Sequence, residues 1–265
     1  MFLLVTTVYE PDESLVSKAK MWALELGGIY QERGKRSIAR LHQRDPVVLV
    51  VMNEGLKAYK KGHSTPLLFH PGIAMLRIKR LMRGDNDTMI DICSLRPGDS
   101  FLDCTLGFGG DSLVASYAIG EKGKVVGIES EPLIAAIVKE GLLVYSAPEE
   151  IQCAMKRIQI IQRNHLTFLK QCENNSFDIV YFDPMFSEPI EHSQAISPLR
   201  PFANPGSLNV DVIKEAKRVA RRRVVMKNHV GSEDFARLGF SPVPLGKRER
   251  TFTYGIIITG ESSDD

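Results

Sequence analysis

Two short stretches carry side chains whose types and spacing suit chemistry. The first is Asp103-Cys104-Thr105-Leu106-Gly107-Phe108-Gly109-Gly110-Asp111. An apolar run, Ser100-Phe101-Leu102, precedes it, and Ser112 to Ala118 after it reads as a helix start. A strand that ends in a glycine-rich turn and feeds a helix is a device for holding a ligand. Glycines let the backbone come close, and the helix start offers N–H groups without partners. In open α/β sheets, ligands sit outside the carboxyl ends of the strands. For the turn taken alone, a purely structural role is the alternative. The second stretch, Asp183-Pro184-Met185-Phe186, ends the apolar run Phe177 to Phe182. Between the two, Lys124 to Glu129 reads as a strand that finishes in a carboxylate.

The glycine turn fits two patterns unequally. In G-x-G-x-x-G the third glycine is missing, because Ser112 stands there. The other pattern, D-x-x-x-G-x-G-x-D, resembles motif I of class I methyltransferases that use S-adenosylmethionine. A carboxylate at the end of the second strand accepts ribose hydroxyl hydrogens. Glu129 therefore supports a nucleoside cofactor and suits NAD and S-adenosylmethionine alike; an exposed strand-end Glu is the bland alternative. Asp183-Pro184-Met185-Phe186 resembles the D/N-P-P-Y/F motif of methyltransferases acting on exocyclic amino groups, with Met185 in third position. An aryl amine delocalises its lone pair into the ring and is a poor nucleophile. An Asp carboxylate and a backbone carbonyl held by proline accept its hydrogens and direct the lone pair toward the methyl group. Phe186 offers a flat surface on which a base stacks.

Other segments must position these residues. Leu3 to Val8 reads as a strand, Pro11-Asp12 to Leu26 as a helix stopped by Gly27-Gly28, and Ile29 to Glu32 as a second strand. Ser37 to Arg44 is a short helix, Pro46 to Val51 a third strand, and Leu56 to Leu68 a hairpin around Gly62. Together these make a small α/β domain over residues 1–70, with residues 71–265 as the larger one. Within the first, Arg33, Lys35, Arg36, Arg40 and Arg44 read either as solvated surface or as a phosphate-binding patch. Gly72 to Arg83 is a linker helix with Arg77 and Arg80 three apart on one face. They serve solubility, or point toward the cofactor carboxylate or an RNA phosphate.

Thr88 to Leu95 is a further short helix, and a helix follows from Pro132. Ile158 to Ile161 is a strand followed by Asn164-His165, where a polar group meets an adenine or simply caps a helix. The proline-rich stretch from Ser187 to Gly206 reads as a lid or substrate loop. Leu208 to Ala220 is a helix and Arg223 to Lys227 the fifth strand of the larger sheet. Its final residue points to the site side and suits a substrate phosphate. Lys214, Lys217, Arg218, Arg221, Arg222 and Arg223 form the densest basic run, read as a solvated helix end or as an RNA contact. Ser232 to Leu238 is a helix, and Pro242 to Leu245 with Thr251 to Thr259 form a last hairpin around Lys247-Arg248-Glu249-Arg250. Gly260 to Asp265 is an acidic tail.

Composition narrows the class. Of 265 residues, 43% are hydrophobic and 25% charged, as in globular proteins. The net charge of +2 means that a nucleic acid would be met by local patches rather than by a global field. Cys93, Cys104, Cys153 and Cys172 make no C-x-x-C pair and read as reduced, buried thiols of a cytoplasmic protein. Met1 to Val8 lacks a basic leader and reads as a strand rather than a signal peptide. No apolar run approaches the roughly 20 residues of a membrane span.

In order and motifs the chain resembles the RsmJ-like methyltransferases, which transfer methyl from S-adenosylmethionine to the N2 amino group of a guanine in small-subunit ribosomal RNA. Asp103 to Asp111, Glu129, Asp183 to Phe186, Arg223 to Lys227 and Lys247-Arg248 carry the likeness, over about Pro71 to Thr259. The resemblance implies a Rossmann-like class I fold, with a seven-stranded, mostly parallel sheet whose last strand is antiparallel. It implies cofactor contact by Asp103, Thr105, Gly107, Gly109, Gly110, Asp111, Glu129, Ser130, Asn164, His165 and Asp183. Asp183, Pro184 and Phe186 would carry the chemistry, and Lys227, Arg77 and Arg80 would contact substrate, without a metal. Partners would be ribosomal RNA or the small subunit, and a homo-oligomer stays open. Two departures matter. The turn is followed here by an acidic stretch, Ser187 to Glu191, where the family is basic. Arg83-Gly84-Asp85-Asn86 replaces an expected glycine-rich segment. The cofactor and amino-group chemistry carry over; the RNA position does not. A small-molecule or protein methyltransferase, or a non-catalytic RNA-binding protein with a relict cofactor site, are the alternatives.

Overall fold

The computed structural model describes residues 3–43, 45–184, 198–202, 208–245 and 251–260. Contacts divide the chain into two units. One comprises residues 1–70, 132–147 and 193–203; the other comprises 71–131, 148–192 and 204–265. This division differs from a single cut after residue 70, because an internal helix joins the first unit.

In that unit β1 (Leu3–Thr7), α1 (Glu13–Glu25), β2 (Ile29–Tyr30), α2 (Ile38–Leu41), β3 (Val47–Met52), β4 (Gly55–Lys60) and β5 (Leu67–Leu68) follow in order. The sheet order is β2-β1-β3-β4-β5. β1 is parallel to β2 and β3, and the remaining pairings are antiparallel. Asp12 caps α1 by accepting the Leu15 N–H at 2.7 Å, and Leu15, Ala19, Trp22 and Ala23 form its buried stripe. Arg33 is buried. Its Nε donates to the Arg36 carbonyl (2.9 Å), Nη1 donates to that of Thr7 (3.3 Å), and its plane lies 4.5 Å from the Tyr9 ring centroid. It braces its own loop, so this member of the basic group is neither solvated surface nor part of a phosphate patch.

The second unit opens with α3 (Gly72–Leu81) and α4 (Thr88–Cys93), then β6 (Ser100–Asp103), α5 (Gly110–Ile119) and β7 (Lys124–Glu129). α6 (Pro132–Val144) leaves it to pack against β4 of the first unit. The second unit resumes with α7 (Glu149–Lys156), β8 (Ile158–Gln162), α8 (His165–Leu169), β9 (Phe177–Phe182), α9 (Val210–Val219), β10 (Ala220–His229), α10 (Asp234–Leu238), β11 (Ser241–Pro242) and β12 (Phe252–Ile258). Helix α7 was not foreseen.

The sheet order is β11-β12-β10-β9-β6-β7-β8. β6 to β10 run parallel, and β12, the last strand, is antiparallel to β10. β11 is antiparallel to β12 and so shares the common direction. This is the sheet expected from the sequence. Its core joins Leu102, Val126, Val180, Phe182, Val224 and Met226 to Val212, Ile213 and Ala216 of α9. Strands leave β6 in both directions, toward β7 and toward β9, so the crevice for a ligand lies at the carboxyl ends of β6 and β9.

At the start of β10 four members of the basic run pair with their own chain, while Lys214 and Lys217 are exposed. Arg218 donates to Glu215 and to the carbonyls of Leu169 and Cys172. Arg221 pairs with Asp178, Arg222 with Asp99, and Arg223 donates to the Ile92 carbonyl at 2.8 Å. These cations staple strand starts and loops. Cys93 and Cys104 are buried as expected, but Cys153 is exposed on α7 and Cys172 is half-buried. Phe186, Met185, Arg44, most of the Ser187 to Gly206 stretch, Lys247 to Arg250 and the acidic tail beyond Gly260 lie outside the described residues.

Candidate active site

The glycine turn is built around one carboxylate. Asp103 ends β6 and is buried. Its Oδ1 accepts the Thr105 N–H at 3.0 Å and its Oδ2 accepts the Ser112 hydroxyl at 2.7 Å, so the loop closes around it. Gly107 and Gly109 take φ of +50° and +72°, the left-handed region that favours glycine. Burial raises the Asp103 carboxyl to about 7, against the two hydrogen bonds; Asp111 and Asp183 push in the same direction. At the end of β7, Glu129 accepts the Gly107 N–H (3.2 Å) and the Glu131 N–H (2.9 Å), with the Ser130 hydroxyl 3.5 Å away. Burial raises this carboxyl too. The Thr105 hydroxyl oxygen accepts the Asp183 N–H at 2.6 Å, which ties the turn to the end of β9.

Beside the turn runs a chain of alternating charges. Asp87, the N-cap of α4, accepts from Met89 and Ile90 and is gripped in a fork by Arg77 of α3, at 2.7 and 2.8 Å. The same guanidinium donates through Nη1 to Asp111 in the first turn of α5. Asp111 also accepts the Tyr181 hydroxyl at 2.8 Å and lies 3.6 Å from Nζ of Lys227. That ammonium, at the carboxyl end of β10, donates to Asp183 Oδ2 at 2.7 Å and sits 5.1 Å from the Phe252 ring centroid. Burial opposes charge on Asp111, but Lys227 and Arg77 outweigh it and hold the carboxyl far below the usual range. Burial likewise works against both cations, and their carboxylate neighbours keep them firmly protonated. For Asp183, burial comes first and Asp111 adds to it, with Lys227 opposing; the result is a carboxyl raised to about 6. Burial and Asp111 keep Tyr181 and Tyr254 protonated.

The structure thus gathers Asp103, Thr105, Asp111, Asp183, Lys227 and Arg77 in one network, with Glu129 tied in through Gly107. Gly110 is the first residue of α5, with a Cβ position only 3.9 Å from that of Ala74. Pro184 follows Asp183 directly. Arg80 stays outside, in an exposed pair with Asp85 at 3.3 Å. Asn164 caps α8, its Oδ1 accepting from Leu166 and Thr167. His165 is half-buried against Phe182, ring centroids 6.3 Å apart, and burial lowers its pKa. Sequence reasoning missed Asp87, Tyr181 and Tyr254. Asp87 before a helix start was a readable cap signal; a tyrosine inside an apolar strand gave none. The donor set fits a nucleoside-bearing cofactor. Left-handed glycines bring the backbone close, and Glu129 faces the same turn with acceptors that suit ribose hydroxyls.

Comparison with known proteins agrees. The family model described as "Putative SAM-dependent methyltransferase" matches residues 35–250. The protein YpiP of Bacillus subtilis (strain 168) is 42% identical over 260 residues, 97% of this chain and 99% of that one. Ribosomal RNA small subunit methyltransferase J of Acinetobacter baumannii (strain SDF) is 28% identical over 167 residues, 57% of this chain and 59% of its own. The enzyme of that name from Buchnera aphidicola is 33% identical over 134 residues, 48% and 51% of the two chains. The chain therefore spans little more than half the length of these two relatives. The crystal structure of the SAM-dependent methyltransferase NGO1261 from Neisseria gonorrhoeae superposes with a TM-score of 0.63 at 16% identity, covering 99% and 97% of the chains, a likeness of fold. The chain belongs to the SAM-dependent methyltransferase family, and S-adenosylmethionine is its cofactor.

Proposed function

We propose that this enzyme methylates an exocyclic amino group of a nucleobase, with guanine N2 of small-subunit ribosomal RNA as the first substrate to test, in the cytoplasm. One observation carries the reading. Asp183 ends β9 beside the cofactor turn, and its side chain is 27% exposed, against 10% for Asp111 and 11% for Asp87. Of these three carboxylates it is the one most open to an incoming amine. The two aligned methyltransferase J sequences support the substrate class.

Bound S-adenosylmethionine supplies a methyl group made electrophilic by its sulfonium. The chain's own residues supply position. Glu129 holds the ribose, and Asp103 shapes the turn. Asp183 and the Pro184 carbonyl accept the amine hydrogens and aim the lone pair. Phe186 stacks the base. A strong general base is unnecessary, because the methylated amine loses its proton readily.

The test is methyl-labelled cofactor with small ribosomal subunits from a strain lacking this protein, beside naked ribosomal RNA, DNA and a small-molecule extract. Label recovered as N2-methylguanine, lost by roughly 100-fold in Asp183→Ala, is expected. Full turnover in a folded Asp183→Ala variant would refute the amine-orienting role. A small-molecule or protein substrate is the second reading, favoured by the pairing of Arg218, Arg221, Arg222 and Arg223 with groups of their own chain. Label in that extract or in protein would establish it.

A further inference from the structure

We propose that Lys227 is a positioning residue for methyl transfer: it holds the Asp183 carboxylate in its receiving orientation, and the chain Asp111–Arg77–Asp87 holds Lys227. The inference rests on the proposed role of Asp183 and adds the device that makes that role work.

Register places the two groups together. Met226 of β10 pairs with Phe182 of β9, so Lys227 and Asp183, each one residue further on, stand side by side where the β9–β10 pairing ends. Nζ donates to Asp183 Oδ2 at 2.7 Å and lies 3.6 Å from Asp111 Oδ2. A lysine ammonium has three donors, and the two carboxylates engage this one from two directions. Its side chain is only 19% exposed. A substrate phosphate at Nζ would meet Asp111 and Asp183 in the same step, and like charges at that distance repel. The ammonium therefore serves inward.

Asp183 is fixed at two points. Its N–H is held by Thr105 Oγ1 at 2.6 Å and its carboxylate by Lys227. Behind Lys227 each group has a neighbour of opposite sign, drawn from a different element: Asp111 on α5, Arg77 on α3, Asp87 at the start of α4. The fork between Arg77 and Asp87 sets the guanidinium plane, and that plane sets Asp111. Among the described residues, the titratable groups around Asp183 are Lys227 of β10, Asp111 of α5 and Asp103 of β6. Tyr181 of β9, Tyr254 of β12, Arg77 of α3 and Cys93 of α4 face Asp111 and Lys227. Among them Lys227 is the cation in direct contact with Asp183. Its loss both frees the carboxylate to rotate and removes the charge that favours its ionised form.

The experiment compares the intact protein with Lys227→Met, which keeps the stem without the charge, and with Lys227→Arg. It measures kcat and KM across pH on the substrate that takes the label, and cofactor affinity by calorimetry. For Lys227→Met, kcat falls by roughly 10- to 100-fold, cofactor affinity stays within about threefold, and the acid limb of kcat moves up by about one to three pH units. Lys227→Arg keeps the acid limb in place. A purely structural lysine would not move that limb. An unchanged kcat and limb in Lys227→Met overturns the inference, and so does a raised substrate KM at unchanged kcat, which would make Lys227 a direct substrate ligand. Should Lys227→Met not fold, Lys227→Gln is read by the same criteria. Asp183→Asn is run in parallel. If it keeps turnover, the Asp183 reading falls and takes this inference with it. If it loses turnover while Lys227→Met does not, only the inference falls.

Discussion

Replacing Asp103 with asparagine should stabilise the protein at alkaline pH, although the residue is buried and doubly hydrogen-bonded. Its carboxyl is raised from 3.8 to about 7 in the folded state, with burial the largest cause. In the folded protein the proton is kept until about pH 7; in the unfolded chain it leaves near 3.8. The carboxyl's contribution to stability is thus complete below 3.8, declines as pH rises toward 7, and stays lost above that. About three units at 1.36 kcal/mol each give roughly 4 kcal/mol over the whole window. Between pH 5 and 8 the accessible part is about 2–3 kcal/mol. Asparagine keeps the oxygen that takes the Thr105 N–H, and its amide donates to Ser112 Oγ in place of the bond that the Ser112 hydroxyl donated, so each partner keeps one hydrogen bond. Urea unfolding of both proteins without cofactor, followed by circular dichroism at pH 5, 6, 7 and 8, measures the difference. The Asp103→Asn advantage should grow from pH 5 to about 7 and then level off. A difference that stays flat within about 0.5 kcal/mol, or shrinks, would show that the two hydrogen bonds outweigh burial and that the carboxylate is charged at rest.

Glu129→Ala should weaken S-adenosylmethionine binding by ~1–3 kcal/mol, roughly 5- to 150-fold in Kd, read by calorimetry; an affinity within about twofold would remove its ribose role. Gly141→Ala in α6 places a Cβ 2.2 Å from Phe69 Cγ and 2.3 Å from its Cβ, atoms too near the backbone to swing away. Overpacking of ~1–3 kcal/mol should exceed the ~1 kcal/mol that alanine gains over glycine in a helix, so the melting temperature should fall. A higher melting temperature would mean that Phe69 yields without cost.

The sheet of the second unit was legible because its strands are apolar runs bounded by turn residues, and because their carboxyl ends are marked by Asp103, Glu129, Asp183 and Lys227. The pairing inside the site was not. Arg77 looked free on a helix face, since sequence spacing does not show that Asp87, ten residues on, folds back beside it. The pairing of Lys227 with Asp183 was not legible because the β9 neighbour of Lys227 is set by strand order, a non-local property. The basic run at Arg218 to Arg223 looked like a surface for the same reason: its acceptors, Asp99, Asp178 and the Ile92 carbonyl, are remote in sequence. The Asn164 cap was legible, since local hydrogen bonds need only local sequence.

Helix α6 has a consequence for how the chain is made. The first sheet is finished by a helix encoded after β6 and β7 of the other sheet. During synthesis, β1 to β5 must therefore wait with the face of β4 that α6 covers until residue 147 has emerged from the ribosome, by which time two strands of the second sheet already exist. The two units cannot fold strictly one after the other, and a fragment cut after residue 70 would present bare apolar surface. Such a chain is poorly suited to modular shuffling: the unit that comes first in the sequence is completed only after the other has begun.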